Sequence, residues 1–307
     1  MPLTFAHFIE QARKDRDLTQ QEMLELLIEA DPTLSKLDLT TFSRWERGVT
    51  TPKLVKQLLI ARIVGEDVAL LIDPQEKGPI KKVNHFEKIQ SRVRDPYSSD
   101  SNDFKTFHCE SLTDEPELYS KLSVFHNDYL GMKTNLSELN NRNIMLEIFV
   151  DGTGKLVGHL FHGYLDTSTL PSQCVPDKLS DCQFIVPEDH QSTNLTMYIV
   201  SAFCSMAQPR MVMILMILNR LRQHTNIKDL QVNCHDQEGF TLYDSNSECE
   251  IIAKGEAIQF GGVKVFGKHF RYVRIKTNPE NILSSKVFSD IIPFTNEYID
   301  CLLDKHP

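Results

Sequence analysis

The stretch Leu39-Thr-Thr-Phe-Ser-Arg-Trp-Glu-Arg-Gly48 divides by face when it is wound as a helix. Phe42 and Trp45 fall three apart and share one side. Thr40, Thr41, Ser43, Arg44 and Arg47 put short or cationic polar groups on the rest of the surface. Gly48 stands where a helix C-terminus wants a left-handed residue. Small hydroxyls and Arg on an exposed helical face suit the base edges and phosphates of a DNA major groove. The same pattern also suits a surface helix packed only through Phe42 and Trp45.

The flanking segments bear on that choice. Leu3 to Asp15 carries Phe5, Phe8, Ile9 and Ala12 at amphipathic spacing. Thr19 with Glu22 three residues on reads as a capping box opening a second helix over Met23, Leu24 and Leu27. Pro32 stops that helix, and Asp38 can cap the quoted stretch. Pro52 precedes a fourth helix, Lys53 to Val64, with Leu54, Leu58, Ile60, Ala61 and Val64 available for a core.

Residues 5–72 resemble the Cro/CI-type helix-turn-helix domain of the XRE regulator family. The matching residues are Arg13, Leu18-Thr19-Gln20 with Gln21-Glu22-Met23, Phe42-Ser43-Arg44-Trp45-Glu46-Arg47-Gly48, Pro52, Leu58 and Ala61. The connection Glu29 to Asp38 is longer than the tight turn usual in that family. The resemblance implies DNA contacts by Gln20 and Gln21 at the start of the second helix, with Gln20 on a phosphate. Thr40, Thr41, Ser43 and Arg44 would face the groove, and Arg47, Lys53 and Lys56 would hold phosphates. In this interval Lys36, Arg44, Arg47, Lys53, Lys56 and Arg62 face only Asp38 and Glu46, which predicts a local basic surface.

Such a surface has to be local, because the 307-residue chain has a formal net charge of −9. The length allows about two domains. Met1 to Glu10 shows no signal-peptide pattern, and the apolar run Met211 to Leu218 is too short to span a bilayer. The seven cysteines are scattered and odd in number, which fits reduced cytoplasmic thiols. Cys174, Cys182, His159, His162, Cys234 and His235 include metal-ligand types without the spacing of a zinc module. No metal and no cofactor is expected.

Residues 74–104 read as a basic connector, with Lys77, Lys81, Lys82, Lys88, Arg92 and Arg94. It is either a solvated linker or an arm that adds phosphate contacts. Residues 105–307 read as a larger mixed α/β domain. Ile144–Val150 and Lys155–Leu165 around Asp151-Gly-Thr-Gly154 form its clearest hairpin. Strands are expected near Leu195–Cys204, Asp229–Cys234, Glu250–Phe260 and Gly267–Lys276. Helices are expected at Glu115–Tyr129, Met211–His224, Gln237–Asn246 and Ser284–Leu303.

That order resembles the GNAT acyltransferase fold over roughly 105–277. The family's glycine-bearing acyl-CoA loop would correspond to Gln208-Pro-Arg-Met-Val-Met213, where Met211 and Met213 replace the glycines and Pro209 lacks an N–H. Tyr243 falls where the family often has a general-acid tyrosine. The expected fold class is therefore an N-terminal all-α helix-turn-helix bundle (1–73), a linker (74–104) and a degenerate GNAT-like α/β domain (105–307). The expected function is a cytoplasmic, homodimeric transcription regulator without catalytic activity. It would bind an operator in double-stranded DNA and sense a small-molecule effector, and it would contact no membrane. The alternatives are an active acetyltransferase targeted to DNA by its helix-turn-helix, or a protein-interaction regulator. The helices Met211–His224 and the C-terminal one are candidate dimer interfaces.

Overall fold

Local capping chemistry sets the first four helices. In the computed structural model, which describes residues 3–72, 104–109, 112, 114–132, 135–136, 143–187, 193–245 and 247–303, these are α1 (Phe5–Lys14), α2 (Gln20–Ala30), α3 (Leu39–Glu46) and α4 (Leu54–Ile63). The Thr19 side chain accepts from the Glu22 N–H, and Glu22 accepts in turn from the Thr19 N–H at 2.7 Å. Asp38 accepts from the Thr41 N–H at 2.6 Å. Pro32 opens a 3-10 turn, Pro32–Leu34, which takes up the long α2–α3 connection and buries Leu34. Gly48 takes φ +69°, the left-handed conformation expected after α3. Phe42 and Trp45 are buried, with Trp45 edge-on to Phe5 at 6.0 Å. The basic connector lies outside the described residues, apart from Phe104.

The larger portion is built on a seven-stranded sheet. Its strands are β1 (Phe104–His108), β2 (Met145–Asp151), β3 (Leu156–Asp166), β4 (Leu195–Cys204), β5 (Ile227–Cys234), β6 (Glu250–Lys254) and β10 (Val273–Thr277), in the order β1-β2-β3-β4-β5-β10-β6. Among the described residues only β4 and β5 pair in parallel. That geometry requires a crossover, supplied by α6 (Ala207–Gln223). Helix α5 (Pro116–Val124) and the π-turn Phe125–Tyr129 cover one face of the sheet. Helix α6 covers the other, with α8 (Pro279–Leu283) and α9 (Thr295–Leu303) against it. Helix α7 (Gln237–Asp244) follows β5. The short strands β7 (Ala257–Ile258), β8 (Val263–Val265) and β9 (Lys268–Phe270) form a separate small sheet in the order β7-β9-β8.

Three segments differ from expectation. Gly267–Lys276 is not one strand: Lys268–Phe270 belongs to the small sheet and Val273–Thr277 to the large one. Glu250–Phe260 is not one strand, because Gly255 interrupts it where the Tyr272 ring packs so close that a Cβ would lie 2.6 Å from it. Ser284–Leu303 is α-helical only from Thr295, which a 3-10 turn at Ile292–Phe294 precedes with Pro293 near its start.

One expectation about charge is corrected. Arg62 is not part of a basic surface. It is 2% exposed, and it leaves α4 to enter the larger portion. Its Nε makes a 2.6 Å charge contact with Glu280 Oε1. Its two Nη groups donate to the carbonyls of Leu221, His224, Thr225 and Ile227. Burial lowers the guanidinium pKa and the Glu280 charge opposes that shift. Arg222 adds a second tie, donating to Asp67 at 2.8 Å and to the Ile292 carbonyl at 3.0 Å. One continuous buried cluster accordingly runs from Phe8 and Leu58 to Leu218 and Ile292. Removing one partner of a buried ion pair strands the other. Arg62→Ala should cost about 3–5 kcal/mol of stability. Urea unfolding checks this, and a loss under about 1 kcal/mol would show that the helices do not depend on the pair.

Candidate functional site

The site begins at an irregularity in β4. Phe161 pairs with Ser201 and His162 pairs with Ile199, so Val200 is an extra residue bulged out of the β3–β4 ladder. At the same level the parallel β4–β5 pairing stops, its last partners being Ile199 and Val232. Beyond that point the strands part, and side chains from the end of β5 and the residue just after it occupy the Val200 carbonyl. Asn233 Nδ2 donates to it at 3.0 Å, and His235 Nε2 lies 3.3 Å from it.

The parted strands open a cavity of about 780 Å³, lined by Tyr129, Phe203, Met213, Ile217, His235 and Tyr243 among others. This volume lies within the range of about 300–1,000 Å³ usual for small-molecule sites. A buried network holds its floor. Asn233 Oδ1 accepts from Arg274 Nε at 2.9 Å, and Asn233 Nδ2 also donates to Tyr198 Oη at 2.8 Å. Arg274 Nη2 donates to the same hydroxyl at 2.6 Å, with the guanidinium 4.6 Å from the ring centroid. The orientation of Asn233, and with it the bulge, is thus fixed from beneath.

Tautomers in this region follow from what each atom can accept. A carbonyl only accepts, so His235 Nε2 carries the proton and Nδ1 is a bare base. That Nδ1 is buried and has no hydrogen-bond partner among the described residues. Burial lowers the His235 pKa to about 4, so the ring is neutral near pH 7. Behind it, His126 Nδ1 lies 2.8 Å from the Leu122 carbonyl and must donate to it. His126 Nε2 is therefore bare and accepts the Ser201 hydroxyl at 2.8 Å. His159 Nε2, 3.0 Å from Ser201 Oγ, must then donate. This directed chain satisfies every member, which is what a buried polar cluster requires.

The thiols at the cavity are unsuited to act as nucleophiles. Burial pushes Cys204 up to about 11 and raises Cys234 well above the usual thiol range, so both stay protonated near pH 7. Burial also raises the Tyr243 hydroxyl, which keeps its proton available for donation. Among the described residues no group of three or more His, Cys, Asp or Glu side chains is placed to hold a metal ion. The loop expected to cradle a diphosphate instead starts α6 with no side-chain cap, and Arg210 folds back to donate to the Cys204 carbonyl at 2.9 Å.

The residues expected to touch DNA lie on the N-terminal helices, and none of them lines this cavity. Thr40, Arg44, Arg47, Gln21 and Lys53 are exposed, while Thr41, Ser43, Gln20 and Lys56 are half-buried. The Gln20 amide donates to Glu46, which also pairs with Arg13 at 2.6 Å, so Gln20 braces α2 against α3. Gln21 donates to Glu25 at 2.7 Å, and Arg47 Nε donates to the Ser43 carbonyl at 3.2 Å. The sequence reading had His235 only among possible metal ligands and did not single out Asn233 or Val200. Their signal is a strand followed by Asn-x-His, which acquires meaning only beside a bulged neighbour.

No family model and no curated protein matches the chain. Solved structures that resemble it include TofI in an apo form, with a TM-score of 0.35 at 13% identity over 59% of this chain and 95% of that one. TofI in a ternary complex with an inhibitor and MTA gives a TM-score of 0.34 at the same identity and coverage. The AHL synthase LasI gives 0.34 at 8% identity over 60% of this chain and 93% of that one. Scores at this level carry no argument about what the chain binds or transforms. They do bring a correction. The expectation was a non-enzymatic, DNA-binding transcription regulator, whereas the solved structures found include an AHL synthase, which is an enzyme. The regulator reading, and the absence of catalysis that went with it, are set aside. Among the described residues no helix is long and apolar enough to cross a membrane.

Proposed function

We propose that the larger portion is a GNAT-like acyltransferase that moves an acyl group from a thioester to an amine. The observation that carries this reading is the cavity between the parted ends of β4 and β5, whose lining includes the neutral His235 and the protonated Tyr243. As the amine nitrogen attacks the thioester carbonyl its proton passes to His235 Nδ1, an atom buried here that has to come into contact with the cavity as the amine binds. The C–N bond forms and the C–S bond breaks. Tyr243 Oη–H protonates the departing thiolate. Because Cys204 and Cys234 are protonated, transfer is direct rather than through an acyl-enzyme. Met213, Ile217 and Phe203 give the acyl chain an apolar wall. The start of α6 lacks the bare backbone of a diphosphate cradle, so the thiol carrier is held by its acyl end more than by a nucleotide. In this reading the N-terminal helices keep a helix-turn-helix arrangement and act as a buttress for α6 through Arg62.

The test follows thiol release from acyl-N-acetylcysteamine thioesters and acyl-CoA of several chain lengths, each with a panel of primary amines. We expect amine-dependent release, with the nucleotide-free thioesters accepted. Thiol release no faster than the uncatalysed reaction for every pair would sink the proposal.

A further inference from the structure

The small sheet β7-β9-β8 carries a surface that the cavity chemistry does not use. Phe266 is 88% exposed and Phe260 is 84% exposed, the two most exposed large apolar side chains among the described residues. Phe266-Gly267 is the turn of the β8–β9 hairpin, and both residues have positive φ, +50° and +80°. Such a turn favours Asn or Asp before Gly, and a bulky residue in that conformation is strained. A phenylalanine held there, in solvent, is an outlier that calls for a functional reason. Around it stand Lys254, Lys264 and Lys268, all exposed and none in an ion pair with a described residue. Lys254 Nζ lies 5.0 Å from the Phe266 ring centroid and 5.3 Å from that of Phe270. The nearby acid Glu256 is already paired with Arg271 at 3.0 Å.

We propose that this finger docks the protein on an anionic lipid surface, with Phe260 and Phe266 entering the headgroup–acyl boundary and the three lysines meeting lipid phosphates. The charge is complementary although the whole chain is acidic at −9, so the attraction also orients the molecule. The shape favours a bilayer over a protein partner. A stable protein interface needs roughly 800 Å² from each side, whereas Phe266 at the β8–β9 turn and Phe260 in the β7–β8 connection offer only a small wedge. Aromatic wedges ringed by lysine suit a membrane interface. The Lys264 N–H donates to Gln237 Oε1 at 2.9 Å, and Gln237 lines the cavity, so docking would bring the cavity wall to the lipid surface. The inference rests on the finger alone and stands or falls separately from acyl transfer.

Flotation of the full chain with vesicles tests it, using phosphatidylcholine alone or mixed with phosphatidylglycerol. The wild type should float with the anionic vesicles, and added salt should release it. Phe266→Asn supplies the residue the turn prefers, so its melting temperature should equal or exceed that of the wild type. Its bound fraction should nevertheless fall by about ten-fold, as should that of Phe260→Ser and of the Lys254→Gln, Lys264→Gln, Lys268→Gln triple variant. Failure of the wild type to float with anionic vesicles would overturn the proposal. So would Phe266→Asn and Phe260→Ser floating like the wild type. Retention on immobilised poly-glutamate as tight as on vesicles, and indifferent to the phenylalanines, would also overturn it in favour of an acidic protein partner.

Discussion

Lowering the pH from 7 to 5 should destabilise the protein by about 4 kcal/mol from two histidines alone. His126 and His235 are both held near 4 by burial, against about 6.5 in an unfolded chain. Between those values the unfolded chain binds a proton at each ring and the native state does not. Stability is therefore full above about pH 6.5 and is lost as pH falls through the window toward 4. His159 and His162 act in the same direction, both lowered well below the ordinary value by burial first, with Arg220 beside His162 adding to the shift there. The loss is comparable with the whole stability of a typical domain, about 5–15 kcal/mol. The carboxylates of Glu22 and Asp38 are lowered by hydrogen bonds from Thr19 and Thr41, and their contribution is likewise lost as pH falls. Urea midpoints measured at pH 7, 6 and 5 check the expectation, and a flat profile would refute the buried neutral state. His162 offers a sharper control. It is fully buried, edge-on to Tyr164 at 5.8 Å, and neither ring nitrogen has a partner among the described residues. His162→Phe should flatten the profile and raise stability most at pH 5.

The largest expected effect on turnover is at His235. His235→Gln should reduce kcat/KM for the amine-dependent reaction by about 10²–10⁴, the usual contribution of a positioned general base. Glutamine can still donate toward the Val200 carbonyl but has no basic nitrogen to present to the cavity. Steady-state kinetics on the preferred thioester measures the loss. A decrease of less than about five-fold would remove His235 from the chemistry. Cys204→Ala should change turnover by no more than a few-fold, because its thiol stays protonated. That contrast separates direct transfer from an acyl-enzyme route. The acid limb of activity should follow unfolding rather than titration of His235, since the fold gives way before pH 4 is reached.

What could be read beforehand divides along physical lines. The helix boundaries around Thr19, Asp38 and Gly48 were legible because caps are local bonds spanning three residues. The hairpin at Asp151 was legible for the same reason, with Asp151 Oδ1 accepting from the Thr153 N–H at 2.9 Å and the Lys155 N–H at 3.0 Å. The cavity was not legible. It exists because β4 bulges at Val200 and parts from a strand reached only after the seventeen-residue helix α6. Arg62 misled for a related reason. One basic residue in a run of basic residues looks like surface, and only the fold supplies Glu280 and four carbonyls from far along the chain. The outer face of α3 is a different case. Its residue types suit a nucleic acid, yet composition cannot tell a working face from one that has merely kept its polarity.

The placement of Arg62 has a consequence for how the protein can be divided. A chain that opens on compact helices and continues into a sheet invites treatment as two cassettes, each to be excised or exchanged. Here the last long helix of the first cassette delivers its charge into the other, where Glu280 and the carbonyls at the end of α6 await it. Cutting after residue 72 would leave a buried carboxylate without its counter-ion on one fragment and an exposed apolar helix face on the other. The two parts are therefore heritable only together: a swap of one for a foreign counterpart carries a charge defect unless both halves of the lock travel with it.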